Sequence, residues 1–258
     1  YKKMEFAYRQ PKHQDWFDVK VGRLGLSGID LPAYFSEKVV RIKNVEVDNA
    51  ELQNFKNQQI AVPRRIVPMI YSGLQKAPVK MAIDSLRVNN FSVVYEELSK
   101  KGIQPGKLFF TEMNGKFSGF TNIVSYPDQY IRLDANGKLM GKGYFTATWQ
   151  LPVDSLNDRF LLDAHMEDFD LNALNELITP LAFAKVESGK LVDFTFSTEA
   201  STKGATVDML FLYRDLKAEI MKEKNGEVID NKFLSRLANL VLKHDNPDHP
   251  EQGTYSPR

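Results

Sequence analysis

Ile42-Lys43-Asn44-Val45-Glu46-Val47-Asp48-Asn49-Ala50-Glu51-Leu52 is the stretch on which the reading of this chain turns. Apolar side chains stand at 45, 47, 50 and 52, and the polar pair Asp48-Asn49 separates two short alternating runs. Alternation with period two belongs to a half-buried strand, whose successive side chains point to opposite faces. The pair shifts which face is apolar, so a bulge or tight bend is expected there.

The pattern recurs. Shifted by 41, Ile83-Asp84-Ser85-Leu86-Arg87-Val88-Asn89-Asn90-Phe91-Ser92-Val93 repeats it position by position. Shifted back by 21, Val21-Gly22-Arg23-Leu24-Gly25-Leu26-Ser27-Gly28-Ile29-Asp30-Leu31 fits as well. A weaker fourth copy runs from Leu161 to Leu171 and contains Glu167-Asp168-Phe169-Asp170. A repeated strand implies a stack of equivalent units. Leu24, Leu26, Val45, Val47, Leu86 and Val88 then occupy equivalent positions, and they are expected to line one apolar surface. That surface is either an open groove or an ordinary closed core.

Further strands surround these. Residues 107–110 and 115–122 flank Met113-Asn114-Gly115, and 130–133 and 138–149 flank Asp134-Ala135-Asn136-Gly137. Asn-Gly between alternating runs favours a tight hairpin turn, because both residues accept positive φ. Residues 190–198 and 206–213 form another pair across a linker of turn composition, Glu199 to Gly204. Short helices are expected at 31–38, after Asp30 as N-cap, at 170–181 and at 68–76. The spacing of Leu216, Ile220 and Met221 predicts a helix over 213–224, and the stripe Phe233, Leu234, Leu237, Leu240, Val241 predicts one over 231–243. The fold class is mainly β (α+β): repeated amphipathic strands with a few short helices. Residues 1–243 read as one domain and 244–258 as a polar tail.

Composition narrows function. The chain holds 258 residues, 43% hydrophobic and 26% charged, which suffices for one large domain. Thirty-four basic residues balance 33 acidic ones, without the basic excess of a nucleic-acid binder. Cysteine is absent, which removes disulfides and thiolate metal sites. No apolar run reaches the ~18 residues of a membrane-spanning helix. Tyr1 and the proline-containing stretch after Asp245 read as cut points or frayed ends, with a membrane anchor expected outside this chain.

Catalytic patterns are unspecific. His165 stands among Asp163, Glu167, Asp168 and Asp170, which would suit a metal, but alternating carboxylates also describe the wet face of a strand. Asp134-Ala135-Asn136-Gly137 begins like a calcium loop, yet the closing acid is missing where the chain runs on into the strand pattern around Tyr144. Asp163, Glu167 and Asp170 are the residues a carbohydrate hydrolase would draw on. No cofactor, metal site or catalytic residue is assigned.

The repeated strand at 83–97, the hairpin at 106–122 and the order Phe169-Asp170-Leu171-Asn172-Ala173-Leu174-Asn175, Ile178-Thr179-Pro180-Leu181, Val186-Glu187-Ser188-Gly189-Lys190-Leu191, Tyr213-Arg214-Asp215-Leu216 resemble AsmA-like bacterial envelope proteins. That family includes the TamB relatives, and the similarity is to their C-terminal part in Bacteroidetes-type forms, over about residues 17 to 243. The resemblance implies a long, curved antiparallel sheet of repeated amphipathic strands with an apolar inner face, in a periplasmic, non-enzymatic protein held at the inner membrane by an N-terminal helix. It further implies an apolar sheet surface that handles phospholipid or another envelope lipid, or supports outer-membrane assembly with envelope proteins as partners. A closed structural module that binds proteins is the alternative.

Overall fold

The computed structural model describes residues 2–9, 14–60, 70–127, 129–153, 159–224, 227–230, 235 and 245–246. The expected helix at 231–243 and tail at 244–258 lie almost entirely outside them. After a short helix α1 (Lys3–Arg9) the chain enters β1 (Trp16–Ile29), α2 (Leu31–Glu37) and β2 (Val39–Asn57). Next come α3 (Ile70–Gln75), β3 (Lys80–Leu98), β4 (Gly106–Thr121), β5 (Tyr130–Leu139), β6 (Gly143–Pro152) and β7 (Phe160–Asp170). A 3-10 turn (Leu171–Leu174) leads into α4 (Asn175–Ala182), β8 (Ala184–Ser201), β9 (Gly204–Lys224) and the four-residue β10 (Glu227–Asp230). The strands form one open sheet in strict sequence order, with β1 and β10 at its edges.

The repeat is the register. β2 and β3 pair with a constant offset of 41, from Val39 opposite Lys80 to Asn57 opposite Leu98. This pairing is parallel, made by a crossover carrying α3, while every other junction is antiparallel. The sheet is therefore mixed rather than purely antiparallel. An offset equal to the repeat sets identical positions side by side, which is possible only because the two strands run the same way. β1 runs against β2 and places Leu24 opposite Val47 and Leu26 opposite Val45.

The polar pair behaves uniformly. Asn49, Asn90, Glu112, Asp168 and Asp215 have φ of 51–54°, and Gly28 and Gly119 reach 68° and 65°. In each case the residue is the second of two polar or small residues between apolar neighbours: Val47-x-x-Ala50, Val88-x-x-Phe91, Met166-x-x-Phe169. A left-handed residue inside a strand resets the alternation. Residues three apart therefore return to one face, as shown by Met166 and Phe169, or Tyr213 and Leu216, meeting in one cluster. The pair does not move the apolar face across the sheet; it keeps that face continuous through a kink.

The helix expected at 213–224 is instead part of β9. The kink at Asp215 sits between Tyr213 and Leu216, after which Leu216, Ala218 and Ile220 alternate along the strand. Leu216 and Ile220 are four apart, a spacing that a helical turn and an alternating strand share. The two Asn-Gly turns are also corrected, since Asn114-Gly115 and Asn136-Gly137 sit inside β4 and β5. Their glycines make room, because a Cβ on Gly137 would stand 2.6 Å from Met113 Cγ, and one on Gly115 3.0 Å from Leu133 Cδ1. The real β5–β6 turn is Met140-Gly141, both with positive φ.

The remaining expectations compare closely. Asp30 caps α2 by accepting the Ala33 amide at 2.9 Å, and left-handed Lys38 ends it. The 3-10 turn and α4 occupy the segment expected at 170–181, and α3 falls within 68–76. The β8–β9 turn sits at Thr202-Lys203, inside the expected linker.

Candidate functional site

Two rungs of directly paired residues cross the apolar face. One runs Leu26–Val45–Leu86–Phe117–Leu133–Trp149 and the other Leu24–Val47–Val88–Gly115–Ala135–Ala147. Directly paired residues point to the same side of a sheet. All six residues singled out in the sequence therefore lie on one face, in two adjacent rows. Their environments differ by strand. Val45 is 5% exposed, Val47, Leu86 and Val88 are half-buried, and Leu24 and Leu26 on the edge strand are 60% and 49% exposed.

The second rung dwindles to Gly115, Ala135 and Ala147 beside the bulky Phe117, Leu133 and Trp149. Small beside large leaves a hollow. A depression of about 300 Å³ lies there, lined by Val47, Ala50, Val88, Phe91, Met113 and Phe117 among others, with Gly115 and Ala135 at its floor. Phe91, Met113, Phe117, Leu133 and Ala135 were not singled out from sequence. Ala50 and Phe91 stand at the repeat position after the polar pair, so the template held that signal. The β4 and β5 residues became visible only through pairing.

Both ends of this face are closed. At one end Ile131, Leu151 and Val153 form a buried cluster with Phe117, Phe120, Trp149 and Phe160, and Leu74 of α3 packs on it. At the other, Met140, Met166, Phe169, Leu171 and Leu191 pack with Leu174 and Val186, beneath the 3-10 turn and the start of α4. Among the described residues, no helix or loop crosses the middle.

The opposite face is wet. Arg87, Lys116, Asp134, Thr148, Asp163 and Ser197 follow one another across it. Arg132 donates to Asp134 at 2.7–3.0 Å and Thr148 donates at 2.9 Å, and the guanidinium hydrogen bonds hold the Asp134 carboxyl below its usual range. Ser197 donates to Asp163 at 2.6 Å, and His165 Nε2 lies 3.1 Å from Asp193. Asp163, His165 and Glu167 thus alternate on the solvated side of β7, while Lys190 pairs with Asp168, whose hydrogen bond raises the Lys190 amine above its ordinary value. Asp170 precedes the 3-10 turn without capping it through its side chain. Among the described residues no group of three or more His, Asp or Glu side chains is placed to hold a metal. No described helix is long and apolar enough to cross a membrane.

Asn49 and Asn90 join the kinks of β2 and β3 through an amide hydrogen bond of 2.7 Å, and Asn89 donates to Asp48 at 2.8 Å. The Asn90 amide donates to Asn114 Oδ1 at 3.1 Å. These bonds fix the bend that brings Val47 and Ala50, and Val88 and Phe91, to one hollow. No protein-family model matches the chain, and no curated protein sequence matches it.

Proposed function

We propose that this chain is a non-enzymatic periplasmic module of an AsmA-like envelope protein, tethered to the inner membrane through a segment outside this sequence. In this reading its apolar trough holds an acyl chain of a phospholipid or related envelope lipid, in lipid handling or outer-membrane assembly. One observation carries the reading. The middle of the sheet face is lined by Val47, Ala50, Val88, Phe91, Met113 and Phe117, and no described residue covers it, although both ends of the same face are packed shut. Exposed apolar surface of this kind marks an interaction site. A hydrocarbon chain needs a dry path and no directed hydrogen bond, which suits a row of Val, Phe and Met.

The test is native mass spectrometry with lipid extraction on protein purified from a bacterial envelope. Wild type is expected to carry phospholipid. Val47→Asp/Val88→Asp, if folded, is expected to lose it, because a charge cannot lie against hydrocarbon. Ala135→Phe serves as a second variant, filling the floor without adding polarity, and is expected to displace lipid as well. A folded, lipid-free wild type, or lipid retained by both variants, would overturn the reading.

The alternative, a structural module that binds another protein, is favoured by β1. It is a free edge strand whose Phe17, Val19, Val21, Leu24 and Leu26 stand exposed. Such an edge accepts a partner strand. A lipid-free chain that captures an envelope protein along β1 is the outcome this alternative expects.

A further inference from the structure

One end of the sheet carries an inverted helix. α2 has seven residues, Leu31-Pro32-Ala33-Tyr34-Phe35-Ser36-Glu37, and buries its smallest apolar member, Ala33. Its largest members face solvent: Phe35 is 70% exposed, Leu31 58% and Tyr34 43%. Ordinary amphipathic logic places large apolar residues inward. The inversion is well anchored, with Asp30 capping the start, Lys38 closing the end on the Tyr34 carbonyl, and Arg41 pairing with Glu37 at 2.7 Å.

The same end gathers more of this chemistry. β3 begins and β4 ends there, and the adjoining Val124 and Tyr126 are 53% and 59% exposed. Cations ring the apolar tip. Lys38 holds its ammonium 5.8 Å from the centre of the Tyr34 ring, while Lys43, Lys76 and Lys80 are exposed. None of these four lysines makes an ion pair among the described residues. The nearby acids among the described residues are Asp30, engaged as the cap, Glu37, engaged by Arg41, and Asp84. The local balance is therefore basic, within a chain whose overall formal charge is only +1. By strand alternation Lys43 also shares the face of Val45 and Val47, so the apolar row of β2 ends in a cation at this tip.

We propose that this end of the sheet is a membrane-contact tip. Leu31, Tyr34 and Phe35, with Tyr126 at the same end of the sheet, enter the interfacial layer of an anionic phospholipid bilayer, and Lys38, Lys43 and Lys80 meet its headgroups. Aromatic rings with one polar edge favour that depth, and long lysines reach back to the phosphates. Each lysine near an anionic surface strengthens the attachment through a field that salt screens. The inference deepens the lipid reading above, since a trough must receive its cargo from a bilayer, but it stands on different residues.

The experiment is co-sedimentation of the full chain with phosphatidylcholine vesicles, with and without phosphatidylglycerol. Wild type is expected to pellet with the anionic vesicles and to be released by salt. Leu31→Ser/Phe35→Ser, at exposed positions where folding is checked by circular dichroism, is expected to weaken binding about tenfold or more. Lys38→Ala/Lys80→Ala is expected to weaken binding about tenfold on anionic vesicles only. Ala135→Phe is expected to bind vesicles as wild type does, and the two tip variants to keep any lipid held in the trough, so failure of the tip and failure of the trough are separable. Wild type that pellets with neither vesicle, or binding that ignores the serine substitutions, overturns the proposal. So does a dimer of this chain that the serine variant dissolves in the absence of vesicle binding, which would assign the patch to a second copy instead.

Discussion

At the scale of single residues the unusual feature is the left-handed residue within a strand. A non-glycine residue at positive φ is uncommon, and asparagine and aspartate tolerate it best because their short side chains bond locally. Asn49, Asn90, Asp168 and Asp215 follow that preference, and Glu112 is the exception. Asn90 is the most telling, since its φ is 52° and it bonds both Asn49 and Asn114. Asn90→Val should therefore destabilise the protein by about 2–4 kcal/mol, combining left-handed strain on a β-branched residue with a lost hydrogen bond. Asn90→Gly loses the same side-chain bond but accepts the backbone, so its cost should stay within about 1 kcal/mol. Urea unfolding of the two variants checks this. Equal destabilisation by valine and glycine would mean that the amide bond, and not the kink, is what matters at this position.

At the scale of elements, close packing is concentrated where the 3-10 turn and α4 close the sheet. Phe169 is 1% exposed and Leu191 fully buried, and a Cβ on Gly143 would stand 2.5 Å from Phe169 Cδ2. Gly143 is thus the floor on which the Phe169 ring rests. Phe169→Ala should cost about 3–5 kcal/mol by opening a cavity in a rigid surround. The same truncation at Phe17, which is 60% exposed on β1, should cost less than about 1 kcal/mol. Thermal unfolding of the pair measures the contrast, and similar losses would show that β1 is covered in solution. Much at this scale was legible in the sequence. The 41-residue repeat is the β2–β3 register, and Asp30 signalled its helix through the capping chemistry of its side chain. Leu216 and Ile220 imitated a helix because a spacing of four fits one helical turn and also two repeats of an alternating strand. Gly115 and Gly137 imitated turns because a glycine needed for close approach looks the same as one needed for positive φ. The six groove residues were placed on their shared face by period alone, but the hollow beside them depends on β4 and β5, whose pairing partners a single strand does not announce.

At the scale of the whole molecule, sequential strand order makes the sheet nearly one-dimensional. Each strand pairs with its chain neighbours, and the β2–β3 crossover is the one parallel junction among the described strands. Stability in such an array is close to a sum of local units and their interfaces, as in a solenoid. The units here are unequal. β1 is exposed along almost its full length and pairs, among the described strands, with β2 alone, whereas β7 and β8 carry the buried Met166, Phe169 and Leu191. Local opening should therefore begin at β1 and reach β7–β8 last. Native-state hydrogen exchange is expected to show a gradient in which β1 amides bonded to β2 exchange first and β2–β3 amides follow. Those beside Ile131, Leu151, Phe169 and Leu191 should persist until global unfolding. A single protection factor across all strands would mean that the sheet folds as one cooperative block. The low stability expected at β1 would then need a cover over its apolar row. The gradient, by contrast, would leave that row able to open beside the hollow on β2 to β5 while the packed β7–β8 end stays rigid, which is the mechanical condition that the proposed lipid reading requires for a hydrocarbon chain to enter from the side without unfolding the sheet.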